Sequence, residues 1–171
     1  LTGARRLGRP FRFTHDRTFA GGYDGHPGEF SPDGRLIAVG LKEQGVQIWD
    51  ARELTPVGVP LLETQGEVKA LAFSPDGRTL AAATASGFLT LWSVRSRSRL
   101  HGPLSAGGGF LLVGVGFSPD GATLATASSS GVILWDVATG EVRGGIYANV
   151  HDLAFSTDGT MIASARTRKG G

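Results

Sequence analysis

Cysteine is absent from the 171 residues, so disulfides and thiolate metal sites are excluded and the redox compartment is left open. Long apolar runs are also missing. The longest, from Gly107 to Phe117, falls well short of the ~18 residues that a spanning helix needs. An arginine-rich start has no apolar segment after it, so no signal peptide is visible, and the lack of an export signal points to the cytoplasm. Charge of one sign is scarce: the net charge of +2 gives no strong field for nucleic acid or membrane. The single methionine is Met161, so Leu1 reads as the start of a fragment of a longer protein, or of a processed or trimmed chain.

What is abundant is glycine, with 27 residues, about twice the usual share of about 7%. The glycines sit between short apolar runs, as turn residues do. One turn recurs: Phe30-Ser-Pro-Asp-Gly34, Phe73-Ser-Pro-Asp-Gly77, Phe117-Ser-Pro-Asp-Gly121 and Phe155-Ser-Thr-Asp-Gly159. The phenylalanines are 43, 44 and 38 residues apart. A fixed period near 40 marks a repeat architecture, in which each copy is one supersecondary unit. Within the turn, Pro presets φ for a type I turn and Gly accepts a positive φ.

Short strands flank each turn. The second copy predicts strands at Glu67–Phe73, Thr79–Thr84, Phe88–Trp92 and Leu100–Leu104. The last contains Pro103 and suits a sheet edge. The first copy predicts a weak strand near Phe30, then Arg35–Gly40, Val46–Trp49 and Pro56–Leu61. The third predicts Phe110–Phe117, Thr123–Ser128, Val132–Trp135 and Val142–Ile146, and the fourth Asn149–Phe155 and Met161–Ala165. With an opening outer strand at Arg6–Phe11, the total is about 15 strands of even spacing, an all-β repeat.

The third strands end in Ile48-Trp49-Asp50, Leu91-Trp92-Ser93 and Leu134-Trp135-Asp136, 18 or 19 residues after the phenylalanine of the turn. This pattern resembles the WD40 β-propeller family from Leu7 to Ala165. TolB-like six-bladed propellers share the Ser-Pro-Asp-Gly turn; the three tryptophans favour WD40. The resemblance implies a partial ring of about 3.5–4 four-stranded blades, with repeats at 6–50, 56–93, 99–136 and 142–165 and a tail at 166–171. It makes Trp49, Trp92, Trp135, Asp33, Asp76, Asp120 and Asp158 structural markers of the repeat.

Two departures stand out. The family's usual His falls on Gly21, Thr64, Gly108 and Ile146, and its usual Asp on Glu43, Ser86 and Ser129 or Ser130. In the family these residues join the Trp indole and a strand hydroxyl in a buried network, for which Thr84 and Ser128 offer hydroxyls. Each bond missing from that network is worth about 0.5–1.5 kcal/mol, so the blades should be less firmly pinned. The resemblance also implies seven blades, about 300 residues at this period, whereas this chain holds about four. The expectation is an open arc whose exposed ends promote self-association.

Catalytic signatures are lacking. His15, His26, His101 and His151 do not cluster with metal-ligand spacing. His15-Asp16 and His151-Asp152 are neighbours on strands or links, where adjacent side chains diverge. Ser118 belongs to a turn, not to a Gly-x-Ser-x-Gly elbow. Gly107–Gly109 is not followed by the Lys of a phosphate loop. Glu63 and Glu67 read as acids of a solvated link. The arginines at 5, 6, 9, 12 and 17 and at 95, 97 and 99 lack interleaved aromatics, so nucleic acid is not the expected partner.

No enzyme activity, metal or cofactor is expected. The remaining function is recognition by loops. By position, the family's docking face carries His15, Asp16, Arg17, Tyr23, Asp24, Lys42, Glu43, Glu67, Lys69, His151 and Asp152, with the long link from Phe11 to Phe30 foremost. The first reading is a non-catalytic interaction or scaffold module that binds a protein or a neighbouring domain. The alternatives are a regulatory tail of a bacterial signalling NTPase or kinase, favoured by 14 Arg against 3 Lys, or a propeller gating a separate hydrolase domain.

Overall fold

A computed structural model of the chain describes residues 27–41, 45–62, 64–106, 111–146, 150 and 152–165. These form thirteen strands and no helix, so no described helix is long and apolar enough to cross a membrane. The strands fall into four antiparallel sheets. The first holds β1 (Gly28–Phe30), β2 (Leu36–Leu41) and β3 (Gly45–Asp50). The second holds β4 (Val68–Phe73), β5 (Thr79–Thr84), β6 (Phe88–Ser93) and β7 (Arg99–Ser105). The third holds β8 (Leu112–Phe117), β9 (Thr123–Ser128), β10 (Gly131–Asp136) and β11 (Val142–Ile146). The fourth holds β12 (Asp152–Phe155) and β13 (Ile162–Ala165). Each sheet follows sequence order, so every connection is a local hairpin or link.

The sheets are blades of a fan. Each innermost strand packs on the blade before it: β4 on β1 and β2, β8 on β4 and β5, β12 on β8 and β9. No comparable packing joins the fourth blade to the first among the described residues. The three tryptophans occupy equivalent places, since Trp49 pairs with Ile37, Trp92 with Leu80 and Trp135 with Leu124.

The core is divided into layers between blades. One unites Val46 and Ile48 of the first blade with Phe73, Leu80, Ala82 and Trp92 of the second. The next unites Ala81, Ala83, Leu89 and Leu91 with Leu112, Leu124 and Trp135. The third unites Ala125, Ala127 and Val132 with Val150, Leu153, Phe155 and Ile162. Along β5, Leu80 and Ala82 face one layer and Ala81 and Ala83 the other, the period-2 alternation of a strand covered on both sides. Alanine is a poor strand former, but here it lets two sheets approach closely, and burial overrides propensity. Leu80, Leu89, Leu112 and Leu124 are fully buried, each worth about 1.5–3 kcal/mol.

The turns repeat in detail. Gly34, Gly77, Gly121 and Gly159 have φ of 70, 69, 72 and 71°. Each serine hydroxyl donates to the aspartate two residues on, at 2.7, 2.6, 2.6 and 2.6 Å. The aspartate also accepts the backbone N–H of Arg35, Arg78, Ala122 or Thr160. These hydrogen bonds, the serine's first, hold all four carboxyls below the usual aspartate range, and Asp158 to about 2.

One expectation needs correction. Pro56–Leu61 is not a regular outer strand: its backbone pairs with β3 only as isolated bridges at Val46–Leu61 and Trp49–Pro56. Pro56 and Pro60 cannot donate to a ladder, and Gly58, at φ 61°, turns the chain between them. Pro103 does sit in an edge strand, β7. The predicted opening strand Arg6–Phe11 lies outside the described residues.

Candidate interaction surface

The two ends of the fan differ. One end carries the four uniform turns. The other carries the links into the innermost strands and the turns between second and third strands, where the copies diverge. Of the candidates expected there, His15, Asp16, Arg17, Tyr23, Asp24, Lys42, Glu43 and His151 lie outside the described residues, and Asp152 is described only as the first residue of β12.

Glu67 and Lys69 are described and come together. Lys69 Nζ lies 2.8 Å from Glu67 Oε1, and the two side chains are 31% and 35% exposed. Glu67 is therefore the half-buried partner of a lysine, not simply an acid on a solvated link. The pairing arises because Lys69 is the extra residue of a bulge at the entry to β4, where Val68 pairs with Thr84 and Ala70 with Ala83. The link before it is firmly held. Thr64, fully buried, donates to the Gly66 carbonyl at 3.0 Å. Ala85 N–H donates to the Glu67 carbonyl at 2.8 Å. Gln65 and Gly66 have φ of 49 and 121°, and a Cβ on Gly66 would stand 2.5 Å from Ser86 Oγ. The link thus closes against the β5–β6 turn.

The hydroxyl network is rearranged from the family's pattern. Trp135 Nε1 donates to Thr126 Oγ1 at 3.0 Å, and Ser128 is not its acceptor. The register explains this. Leu124 is opposite Trp135, Thr126 is the next residue on the same face, and Ser128 lies about 7 Å further along the strand. Ser128 instead meets Ser130 Oγ at 2.7 Å, and Thr84 accepts the Phe88 N–H at 3.1 Å. In the second blade Ala82 stands where Thr126 does, and Thr90, opposite Ala82, has a buried hydroxyl with no partner among the described residues.

Sequence reasoning did not single out a shallow groove of about 260 Å³ at the outer rim between the first two blades. Val59, Leu62, Trp92, Arg97 and Arg99 line it, and Arg97 donates to the Val59 carbonyl. Its signal was the arginine run at 95–99 beside the prolines at 56–60. His101 lies beside the next blade, with Nε2 3.1 Å from the Ala138 carbonyl. No group of three His, Asp or Glu among the described residues could hold a metal.

Residues 58–93 and 104–136 match the family model described as WD domain, G-beta repeat (WD40). No curated protein matches the chain. Among solved structures, 1223 chains match, so the fold is widespread and does not by itself specify chemistry. One is Kuenenia stuttgartiensis Hydrazine Synthase, at a TM-score of 0.75 and 20% identity, over 94% of this chain and 47% of that one. That likeness concerns the fold alone, and this chain spans about half the length of that neighbour.

Proposed function

Residues 58–93 and 104–136 are WD40 repeats, and from that premise we propose that the chain is a non-catalytic scaffold module that binds a protein, or a domain of its own parent, through its link-bearing end. WD40 repeats build protein-interaction propellers that are generally non-catalytic. The observation that carries the reading is the contrast between the two ends. The turn end repeats one hydrogen-bonded device four times, whereas the links into the innermost strands differ in sequence from copy to copy. The Glu67–Lys69 pair, on a link fixed by Thr64 and backed by Ser86, is the part of that surface the described residues include. Loops held by a rigid scaffold are the usual carriers of recognition.

The test compares capture of the partner, identified by cross-linking, by variants of the full protein. Reversing charge at Glu67 and Lys69, or shortening the Phe11–Phe30 link, should abolish capture. Reversing Arg35 and Arg78 at the turn end should not. Equal loss from both ends would overturn the proposal.

A further inference from the structure

The groove at the outer rim between the first two blades has two unlike walls. On the first blade, Val57 N–H donates to the Ile48 carbonyl and Leu61 N–H to the Val46 carbonyl, each at 2.8 Å, but Gly58, Val59 and Pro60 between them leave the ladder. Val59 is 78% exposed and Leu62 58%. On the second blade, the turn between β6 and β7 brings in Arg97. Its guanidinium donates to the Val59 carbonyl, and a Cβ on Gly58 would collide with it. Arg97 holds this place at a φ of 58°, a conformation that few residues with a side chain adopt and that recurs at ligand clamps. The residues that line the groove include Arg97 and Arg99 and no acid. Arg35, Arg78 and Arg143 lie 3.8, 3.8 and 2.6 Å from an aspartate, whereas Arg97 and Arg95 of the same turn enter no ion pair among the described residues. The indole N–H of Trp92 is also unmet. Trp135 donates to Thr126, but Ala82 stands at that place in the second blade, and the Trp92 side chain has no hydrogen bond among the described residues. Nor is it sealed off: Thr90 Oγ1 is the one buried side-chain polar atom without a partner there, and Trp92 lines the groove.

We propose that this groove is a docking site for a short, extended, acidic segment of a partner protein in which aspartate or glutamate alternates with an aliphatic residue. The two walls specify that pattern. Successive side chains of an extended segment point opposite ways, so the acids face Arg97 on the second blade and the aliphatic residues face Val59 and Leu62 on the first. Arg97 uses one of its five N–H groups on Val59 and keeps others for a carboxylate. Trp92 Nε1 offers a further donor to the same acid. The bond to Val59 fixes the guanidinium before the ligand arrives, which lowers the cost of ordering it on binding. The attraction is local, because the chain as a whole carries only +2. A nucleic acid would satisfy the arginines but leave Val59 and Leu62 without cover, so the apolar wall favours a peptide.

This site lies on the rim and does not depend on the link-end reading. The probe is a fluorescent Asp-Leu-Asp-Leu-Asp peptide titrated into the full protein, followed by anisotropy and by the indole N–H signals in a nitrogen-15 spectrum. Saturable binding that shifts the Trp92 signal is expected. Replacing the peptide's leucines by alanine, or its aspartates by asparagine, should each weaken binding about tenfold. Trp92→Phe keeps the aromatic packing and should weaken binding about fivefold, the size of one net hydrogen bond. Arg97→Gln should weaken it at least tenfold. Val59→Ser, at a side chain too exposed to support the fold, should weaken it about fivefold and so separates docking from unfolding. Arg78→Gln at the turn end, and charge reversal at Glu67 and Lys69, should leave it unchanged. Absence of saturable binding, equal binding of the asparagine peptide, full affinity in Val59→Ser, loss of binding on reversal of Glu67 and Lys69, or equal competition by inorganic phosphate or a single-stranded oligonucleotide would overturn the proposal.

Discussion

Phe30 and Phe73 fill the same place in two copies of one turn motif, yet Phe73 is 8% exposed and Phe30 61%. The local structure does not differ: each ends an innermost strand, precedes the same serine-aspartate turn and pairs with the first buried residue of the second strand. The difference is the neighbour. Phe73 packs into the layer between the first and second blades, and Phe117 and Phe155 pack into the next two layers. What stabilises a blade is therefore the blade before it, more than anything within its own sheet. Stability in such arrays is a sum of unit terms and nearest-neighbour interfaces.

The sharpest way to break this comparison is to truncate both residues. Phe73→Ala should cost about 3–5 kcal/mol, as for other buried aromatics. Phe30→Ala should stay within about 0.5 kcal/mol, the range of surface changes. Chemical denaturation of the two variants measures both, and equal losses would mean that the interfaces do not dominate.

A smaller contrast separates the second and third blades. Thr126→Val removes the acceptor of the Trp135 indole and should cost about 1–2 kcal/mol, because a buried donor is left unmade. Thr90→Val removes a buried hydroxyl that has no partner, replaces it with a methyl of similar shape, and should raise stability by about 1 kcal/mol. Opposite signs for one substitution at two buried threonines would confirm that the blades differ in how their polar groups are satisfied.

The smallest effect concerns the turns, and acid titration reads it. Asp33, Asp76, Asp120 and Asp158 have folded pKa values below the 3.8 of a free aspartate. Their contribution is complete above about pH 4 and is lost as pH falls, for Asp158 toward its folded value of about 2. The melting temperature should therefore decline below pH 4. Asp158→Asn, which cannot titrate, should flatten part of that decline.

Much of this architecture was legible because the period, the turns and the tryptophans are strong local signals. Pro32, Asp33 and Gly34 state their turn without help from the rest of the chain, and the strands on either side follow. The irregular segment at 56–61 was less legible, since two prolines and Gly58 weaken a strand without forbidding contact. The acceptor of Trp135 could not be read from residue type, because both Thr126 and Ser128 carry hydroxyls and only the register with Leu124 chooses between them. The exposure of Phe30 was illegible for the opposite reason: its sequence context is that of a buried residue, and burial is decided by a neighbouring blade. Position alone placed Glu67 and Lys69 on the link into β4. Their pairing depends on a bulge that the sequence does not announce.

Native-state hydrogen exchange resolved strand by strand tests the central claim most directly. If interfaces between blades hold the molecule, β5 and β9, covered on both faces, will exchange slowest, and β1, β12 and β13 will exchange fastest, although all share the same kind of ladder. Uniform protection across the sheets, or slower exchange in β12 and β13 than in β5, would contradict it.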